Sequence, residues 1–213
     1  MDHFFDRFQL GELVFFLCIF IGRTLVLWFR QKINPFALGA GKKGLPRLLE
    51  LISIPWLVLW MLELLFSSLN TPFQLVPTAW NPILVNGLPL KIAGVLIILF
   101  GDFMFGWALI SFGNSWRIGI DENSPGALVT GGIFALSRNP IFVFIDCYFI
   151  GTFLINGTLA FLIFAVMTVI GLDYQIHQEE KFLLDKYGRA YQTYCSQVGR
   201  YIDFRSTLLG FWK

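Results

Sequence analysis

Charged side chains are scarce in this sequence. Aspartate, glutamate, lysine and arginine make up 14% of its 213 residues, whereas hydrophobic residues make up 56%. Soluble globular domains carry roughly 25% charged residues, so this chain has too little polar surface to face water on every side. The scarcity excludes an ordinary soluble domain and predicts a protein that is covered in part by lipid. The net charge of +2 is too small to indicate nucleic acid as a partner.

Cysteine and histidine are also rare. The three cysteines, Cys18, Cys147 and Cys195, are far apart in the sequence, and two of them lie within apolar runs. This spacing excludes a disulfide framework and a cysteine-based metal site. We expect the two histidines, His3 and His177, to lie on opposite sides of a membrane, so that they cannot share a metal ion.

Targeting signals are missing as well. The first residues lack the basic start of a secretory signal peptide, and the apolar run after them has no convincing cleavage site. We therefore expect this run to be retained as the first helix. The last residues, Gly-Phe-Trp-Lys, carry no prenylation motif.

Long apolar runs are abundant, and each is suited to cross a bilayer, which takes about 20 mainly apolar residues. The Asn156-Gly157 dipeptide is a turn signal that divides the last run into a hairpin of two helices. We expect the second of these helices to emerge into water from Gln175 onward. The five predicted spans are Leu10–Phe29, Leu48–Leu69, Leu90–Phe112, Ile141–Ile155 and Thr158–Asp173.

The basic residues predict the orientation of these spans. Five of them and no acid follow the first span, whereas the loop from Asn70 to Pro89 has no charge. The positive-inside rule then places the N-terminus outside and the C-terminus in the cytoplasm, in a bacterial inner membrane or the endoplasmic reticulum. The polar segments at 113–137 and after Gln175 would share the cytoplasmic side. The predicted fold is all-α: a single membrane domain over residues 1–213, with N-terminal helices and loops in 1–89 and a functional core in 90–213.

The first candidate motif lies just before the predicted hairpin, in the segments Leu-Val-Thr-Gly-Gly-Ile-Phe and Ser-Arg-Asn-Pro-Ile-Phe. Glycines such as Gly131 and Gly132 let a backbone approach a ligand closely. Arg138 offers a fork of donors suited to a carboxylate or phosphate, and Pro140 suits the first position of a helix. The alternative is a membrane re-entry turn in which Arg138 anchors lipid headgroups.

The second candidate group lies on the emerging helix. Glu179 and Glu180 point to different sides of a helix, so one could hold an ammonium group while the other pairs with Arg138. The alternative is a solvated helix face. A metal site is a further alternative, because Asp173, His177 and Glu180 share a face at i, i+4 and i+7, although no second histidine is nearby.

The third group is a stripe of Tyr187, Tyr191 and Tyr194, which fall on one helical face before Arg200. Such a stripe is also typical of plain packing or of an aromatic belt at a membrane surface.

Three acids lie inside predicted spans, where an unpaired charge is costly. We expect Glu63 to pair with backbone or hydroxyl groups of a neighbouring helix. Asp102 and Asp146 are better candidates for lining a substrate route.

The order of these motifs resembles the isoprenylcysteine carboxyl methyltransferase and phospholipid methyltransferase superfamily. That signature runs Gly-x-Tyr, Arg-His-Pro-x-Tyr, Glu-Glu, then Phe-Gly-x-x-Tyr-x-x-Tyr. This chain has Gly-Gly-Ile-Phe, Arg-Asn-Pro-Ile-Phe, an apolar hairpin, Glu-Glu, then Tyr-Gly followed by Tyr-x-x-Tyr. The resemblance covers roughly Asn114 to Ile202, under half of the chain.

The resemblance implies a helical membrane methyltransferase that binds S-adenosylmethionine at the cytoplasmic face and methylates a lipid or lipid-tailed acceptor entering from the bilayer. Glu179 or Glu180 would hold the amino group of the cofactor, and the backbone near Gly131 and Arg138 would cradle the rest. The implied cofactor-binding residues are Leu128, Val129, Gly131, Gly132, Arg138, Asn139, Pro140, Glu179, Glu180 and Tyr191. The implied catalytic residues are Arg138, Arg117 and Glu180.

The acceptor side is predicted from a polar stretch after the third span. Arg117, with Trp116 and Asp121, is a second candidate for contact with the acceptor. A carboxylate acceptor would need no base, only a cation such as Arg117 or Arg138 to orient it. Methyl transfer from a sulfonium mainly requires in-line positioning.

Three positions depart from the superfamily's pattern. Asn139 stands where histidine is usual, Phe142 where tyrosine is usual, and Phe144 where glycine is frequent. The first keeps a hydrogen-bonding group but loses a titratable ring, the second removes a hydroxyl, and the third is expected to narrow the site.

Two other functions remain open on the sequence. A sterol-reductase-like enzyme would share a related membrane architecture but use NADPH, and the chain lacks an extra basic cluster for a 2′-phosphate. A membrane scaffold or small transporter is the other alternative, although transporters usually show repeated halves and no repeat is visible here. Convergence of Arg138 with Glu179 or Glu180 would favour the methyltransferase.

Overall fold

The computed structural model describes residues 2–31, 45–71, 73–112 and 128–202. Within these ranges every regular element is helical, and the closest approach to a sheet is one isolated bridge between Ile83 and Thr158. The predicted all-α fold is therefore confirmed. Short 3₁₀ turns lie at Thr78–Trp80 and Gly132–Ala135, and the helices are α1 (Asp2–Gln31), α2 (Leu45–Ser68), α3 (Leu88–Phe112), α4 (Pro140–Asn156), α5 (Leu159–Tyr187) and α6 (Arg189–Gln197).

Three helices in the described part of the chain are long and apolar enough to cross a membrane. The qualifying stretches are Leu51–Ser68, Leu88–Ser111 and Leu159–Tyr187. α4 is apolar but has only 17 residues, which at 1.5 Å per residue span about 26 Å, slightly less than a hydrocarbon core. The protein thus has membrane-spanning helices, while the prediction of about five crossings and of their orientation stays a prediction.

The predicted turn between α4 and α5 is confirmed. Gly157 ends α4 with φ +70, a left-handed conformation that glycine adopts without a steric cost. Its carbonyl accepts hydrogen bonds from Leu84 N (2.7 Å) and Val85 N (3.1 Å), and Leu159 N donates to Pro82 O (3.0 Å). The loop before α3 therefore fixes the closed end of the hairpin.

α3 and α4 form the most extensively packed helix pair. The approach depends on glycines in both helices, because a Cβ on Gly94 would lie 2.6 Å from Gly151 O and one on Gly151 would lie 2.8 Å from Gly94 O. Farther along, a Cβ on Gly101 would lie 2.9 Å from Cys147 Cβ. Small residues permit this close packing in membranes, where little hydrophobic force joins the helices.

The N-terminal helices support this pair through an aromatic core. Trp60 of α2 stacks on Phe149 with ring centroids 4.4 Å apart, and Phe16 of α1 packs against Phe144 at 5.7 Å. At the other end of the core, Asn156 donates a 2.6 Å hydrogen bond to Gln9 of α1. Both N-terminal helices thus pack onto the helices that carry the candidate motifs.

The acids inside the apolar helices have different surroundings. Glu63 is buried and accepts a 3.1 Å hydrogen bond from Leu75 N; the partner is a backbone group, as predicted, but it lies in the loop after α2 and not on a neighbouring helix. Asp102 and Asp146 each keep one buried side-chain oxygen that accepts no hydrogen bond. Their assignment to a substrate route stays a prediction.

The close approach of α3 and α4 predicts a position-specific cost of adding a methyl group. Gly151→Ala should destabilise the protein by about 1–3 kcal/mol because the new Cβ overpacks the contact with Gly94. Gly106→Ala is the matched control, since nothing lies within 4 Å of its Cβ position; it should gain up to about 1 kcal/mol in helix propensity. Unfolding in mixed micelles measures both. Equal stabilities would contradict this packing.

Candidate functional site

The chain segment after α6 pairs with the segment that leads into α4. Arg138 N donates to Gly199 O at 3.1 Å. The carbonyl of Arg200 accepts hydrogen bonds from Asn139 Nδ2 at 3.1 Å and from Ser137 Oγ at 3.4 Å. Residues about 60 positions apart in the sequence are thereby held together at the start of α4.

The glycine-rich motif before α4 forms a tight 3₁₀ turn. Gly132 has φ +62, and the next amide, Ile133 N, donates to Ser111 Oγ of α3 at 3.3 Å. Tyr194 of α6 donates a 2.6 Å hydrogen bond to the carbonyl of Phe134. Pro140 then starts α4 as predicted, at a position where its missing N–H costs nothing. The turn is thus fixed from α3 and from α6.

An ion-pair cluster lies where this turn meets α5. Arg138 Nη2 is 2.9 Å from Glu180 Oε1, and the two side chains are only 12% and 14% exposed. Arg200 contacts the other carboxylate oxygen, with Nε 3.1 Å and Nη2 2.7 Å from Glu180 Oε2. One carboxylate therefore lies between two guanidinium groups, which leaves a net positive charge in a largely enclosed place.

The cluster continues along α5 on the face predicted from i, i+4 and i+7 spacing. Arg200 Nη1 lies 2.9 Å from His177 Nε2, and His177 Nδ1 lies 2.6 Å from the carbonyl of Asp173. Tyr201 donates a 3.0 Å hydrogen bond to Asp173 Oδ1. Burial and this hydrogen bond raise the pKa of the Tyr201 hydroxyl to about 12, so Tyr201 stays a neutral donor.

This arrangement uses the candidate metal ligands in another way. Within the described residues, no group of three histidine, cysteine, aspartate or glutamate side chains is placed to hold a metal ion. Glu180 contacts two arginines, while His177 and Asp173 contact Arg200 and Tyr201 respectively. The face is therefore organised around cations of the protein itself.

Two polar atoms in the cluster are buried without a hydrogen-bond partner. They are Arg138 Nε, a donor, and Glu180 Oε1, which is ion-paired with Arg138 but accepts no hydrogen bond. Buried polar groups are nearly always satisfied, by protein, water or ligand. A ligand that presents an acceptor next to a donor would satisfy both atoms.

A hollow of about 400 Å³ lies beside Glu180, between α5 and α6. Its size is within the range of about 300–1,000 Å³ that is typical of small-molecule sites. Its wall combines polar groups with apolar and aromatic surface, and is formed by His177, Glu180, Lys181, Leu184, Tyr191, Gln192 and Cys195.

Two tyrosines of the predicted stripe stiffen α6 against this site. Tyr191 and Tyr194 are buried in one cluster with Ile133 and Phe134 of the glycine turn. Burial raises the pKa of both hydroxyls, and the positive charge of Arg138 opposes the shift. Both side chains therefore remain neutral, and Tyr191 presents a phenol ring to the hollow.

The structure brings several predicted residues together and leaves others at the margin. Leu128 and Val129 pack against the cluster that contains Tyr191, while Gly131 and Gly132 are exposed. Glu179 accepts a 3.2 Å hydrogen bond from Gln175 on its own helix. The predicted acceptor-side residues, Arg117, Trp116 and Asp121, lie outside the described residues.

The three departures from the superfamily pattern have distinct surroundings. The Asn139 side chain is buried, and its amide donates a hydrogen bond to the Arg200 carbonyl. This contact does not require the titratable ring of a histidine. Phe142 is half-buried. Phe144 stacks on Phe105 of α3 with ring centroids 4.6 Å apart, so its ring fills the helix core.

Arg200 is the residue that the sequence pattern did not single out. It ends the third motif group, after the tyrosine stripe, but the pattern assigns it no contact. A charge argument could have found it, because a largely buried carboxylate such as Glu180 needs compensating cations. The distance of 20 residues between the two along the chain gives no helical spacing that would connect them.

Part of the chain is similar to a known protein family. Residues 90–190 match the model of the phospholipid methyltransferase family, a segment that contains Arg138 and Glu180. The match covers under half of the chain, and it supports the predicted resemblance to the isoprenylcysteine carboxyl methyltransferase and phospholipid methyltransferase superfamily.

A curated relative of this chain is a methanethiol S-methyltransferase from a Pseudomonas species. The two are 29% identical over 170 residues, which cover 72% of this chain and 58% of the relative. The chain therefore spans less than two thirds of that protein's length. No solved structure matches the chain.

The ion-pair cluster predicts a strong effect of one neutral substitution. Glu180→Gln should lower stability by about 1.5–3 kcal/mol, because it leaves two guanidinium groups without their charged acceptor. Asp185→Asn removes an exposed acid from the same helix and should change stability by less than about 0.5 kcal/mol. Thermal unfolding of the two purified variants measures the difference. Equal melting temperatures would contradict a stabilising cluster.

Proposed function

We propose that this protein transfers a methyl group from S-adenosylmethionine to a hydrophobic acceptor. The observation that carries the proposal is a pair of buried atoms without a hydrogen-bond partner, Arg138 Nε and Glu180 Oε1, in an ion-pair cluster whose Glu180 lines a hollow of suitable size. Similarity to the phospholipid methyltransferase family and to a methanethiol S-methyltransferase supports the same function.

The charges around Glu180 fit the amino-acid end of the cofactor. That end carries a carboxylate and an ammonium group on one carbon atom. Arg138 Nε would donate to a carboxylate oxygen, and Glu180 Oε1, which is ion-paired with Arg138 Nη2 at 2.9 Å but accepts no hydrogen bond, would accept from an ammonium. Of the two adjacent glutamates, Glu180 therefore suits the ammonium better, because it lines the hollow and keeps this acceptor.

The remaining wall of the hollow suits a nucleoside. Leu184 and the ring of Tyr191 supply apolar surface, and Gln192 supplies an amide at the edge. Leu128 and Val129 pack behind Tyr191 and would hold it in place. Gly131, Gly132, Asn139 and Pro140 would shape the backbone that leads to Arg138.

The bound cofactor would supply an electrophilic methyl group on a sulfonium. The protein's own part is to hold the donor and acceptor in line, which by itself contributes much of the rate enhancement in such transfers. Arg138, Glu180 and Arg117 are the residues that we assign to this positioning. The acceptor would reach the site sideways from the lipid phase at the cytoplasmic face, between helices of a bundle of about five crossings.

The acceptor class follows from the membrane and from the relative. A lipid or lipid-tailed molecule suits entry from the bilayer. A small thiol is a second candidate, because the relative in Pseudomonas is named for methanethiol, and short alkyl thiols also partition into membranes.

Cofactor binding tests the proposal first. Titration calorimetry of the detergent-solubilised protein with S-adenosylmethionine should give saturable heat. Glu180→Ala should weaken binding by about tenfold or more, the value of one charge-assisted contact, whereas Asp185→Ala should bind as the wild type does. A folded wild type that releases no heat, or a Glu180→Ala variant that binds normally, would refute the assignment.

Acceptor choice requires a separate assay. The purified protein, given S-adenosylmethionine with a radiolabelled methyl group, should label a membrane lipid extract, hexanethiol, or both. Label in the lipid fraction alone would support a lipid acceptor, and label in the thioether alone would support a thiol. Arg138→Gln should abolish either product. If the protein binds the cofactor but labels neither acceptor, the proposed acceptor classes are contradicted.

A further inference from the structure

We propose that Arg200 is a positioning residue for ligand binding, acting through Glu180 and through the turn that carries Arg138. This inference rests on the proposed function, because it concerns the same site. Arg200 lies outside the segment that matches the family model.

The side chain of Arg200 holds Glu180 Oε2, the carboxylate oxygen that does not contact Arg138. Its Nε and Nη2 both contact Glu180 Oε2, at 3.1 and 2.7 Å. With Oε2 held in this way, the carboxylate cannot rotate, and Oε1 stays next to Arg138 at 2.9 Å. The hydrogen bond with Glu180 also raises the pKa of the Arg200 guanidinium, so its charge is constant.

The third nitrogen of the guanidinium fixes its orientation. Arg200 Nη1 lies 2.9 Å from His177 Nε2, and the same ring is held on its other side by the carbonyl of Asp173. The planar fork therefore spans one turn of α5, from position 177 to position 180. A lysine at this position would keep the charge but lose the fork.

The backbone of Arg200 fixes the other half of the site. Its carbonyl accepts hydrogen bonds from the side chains of Asn139 and Ser137. The preceding carbonyl, that of Gly199, accepts a hydrogen bond from Arg138 N. One short segment thus sets both the carboxylate of Glu180 and the backbone of Arg138. The two unsatisfied atoms that would face a ligand depend on it.

A pair of ligands separates positioning from general structural support. S-adenosylhomocysteine carries the ammonium and carboxylate, whereas methylthioadenosine has the same nucleoside without them. Arg200→Gln should weaken the binding of S-adenosylhomocysteine by about tenfold or more. It should change the affinity for methylthioadenosine by no more than about twofold. Arg200→Lys should recover part of the loss because the charge remains.

Arg189→Gln is the matched control, since it removes an arginine from an exposed position at the start of α6. It should leave the affinity for both ligands unchanged. If Arg200→Gln lowered the affinity for both ligands equally, or for neither, the positioning role would be overturned. In a Glu180→Gln background, Arg200→Gln should add no more than about a twofold loss; full additivity would also overturn it.

A measurement without ligand keeps this inference distinct from the proposed function. If the wild type binds neither ligand, the proposed function fails. Amide hydrogen exchange then tests the positioning itself: Arg200→Gln should speed exchange in peptides that contain Arg138, which donates to Gly199, and Arg189→Gln should not. Unchanged exchange would refute the role of Arg200 in holding this turn.

Discussion

The candidate site depends on a single carboxylate between two guanidinium groups. Removing charges from water is expensive, and attraction offsets the cost only when the geometry is good. Glu180 satisfies this condition with contacts of 2.7 to 3.1 Å to Arg138 and Arg200. The three side chains come from the start of α4, from α5 and from the segment after α6, so the cluster adds an electrostatic link to the backbone hydrogen bonds that already join the first and last of these elements.

The membrane helices make this convergence possible. The tight α3–α4 contact at Gly94 and Gly151 and the turn at Gly157 set the height at which α4 begins and α5 emerges. Because α5 continues without a break to Tyr187, it carries Glu180 past the apolar core to the level of Arg138. Packing between the apolar helices thus determines the geometry of the polar cluster.

Much of the fold could be predicted from the sequence, because lipid imposes long apolar runs and glycine marks their turns. The predicted Leu90–Phe112 is observed as Leu88–Phe112. The helix that contains the predicted span Leu10–Phe29 runs farther, from Asp2 to Gln31, because a hydropathy pattern marks apolar residues and not the ends of the backbone hydrogen bonding. Within the site, pairing of Arg138 with a glutamate is one of the predicted options. The contact of Arg200 with Glu180 is not predicted, because Arg200 lies 20 residues farther along the chain, beyond Gly188, which ends α5 with φ +52.

The central claim is that the hollow between α5 and α6 binds S-adenosylmethionine. Ultraviolet cross-linking of the methyl-labelled cofactor to the solubilised protein, followed by peptide mapping, tests it most directly. The account predicts label in peptides from 177–195, which contain Glu180 and Tyr191, and competition by unlabelled S-adenosylhomocysteine. Label confined to α1 or α2, or label that the competitor does not remove, would contradict it.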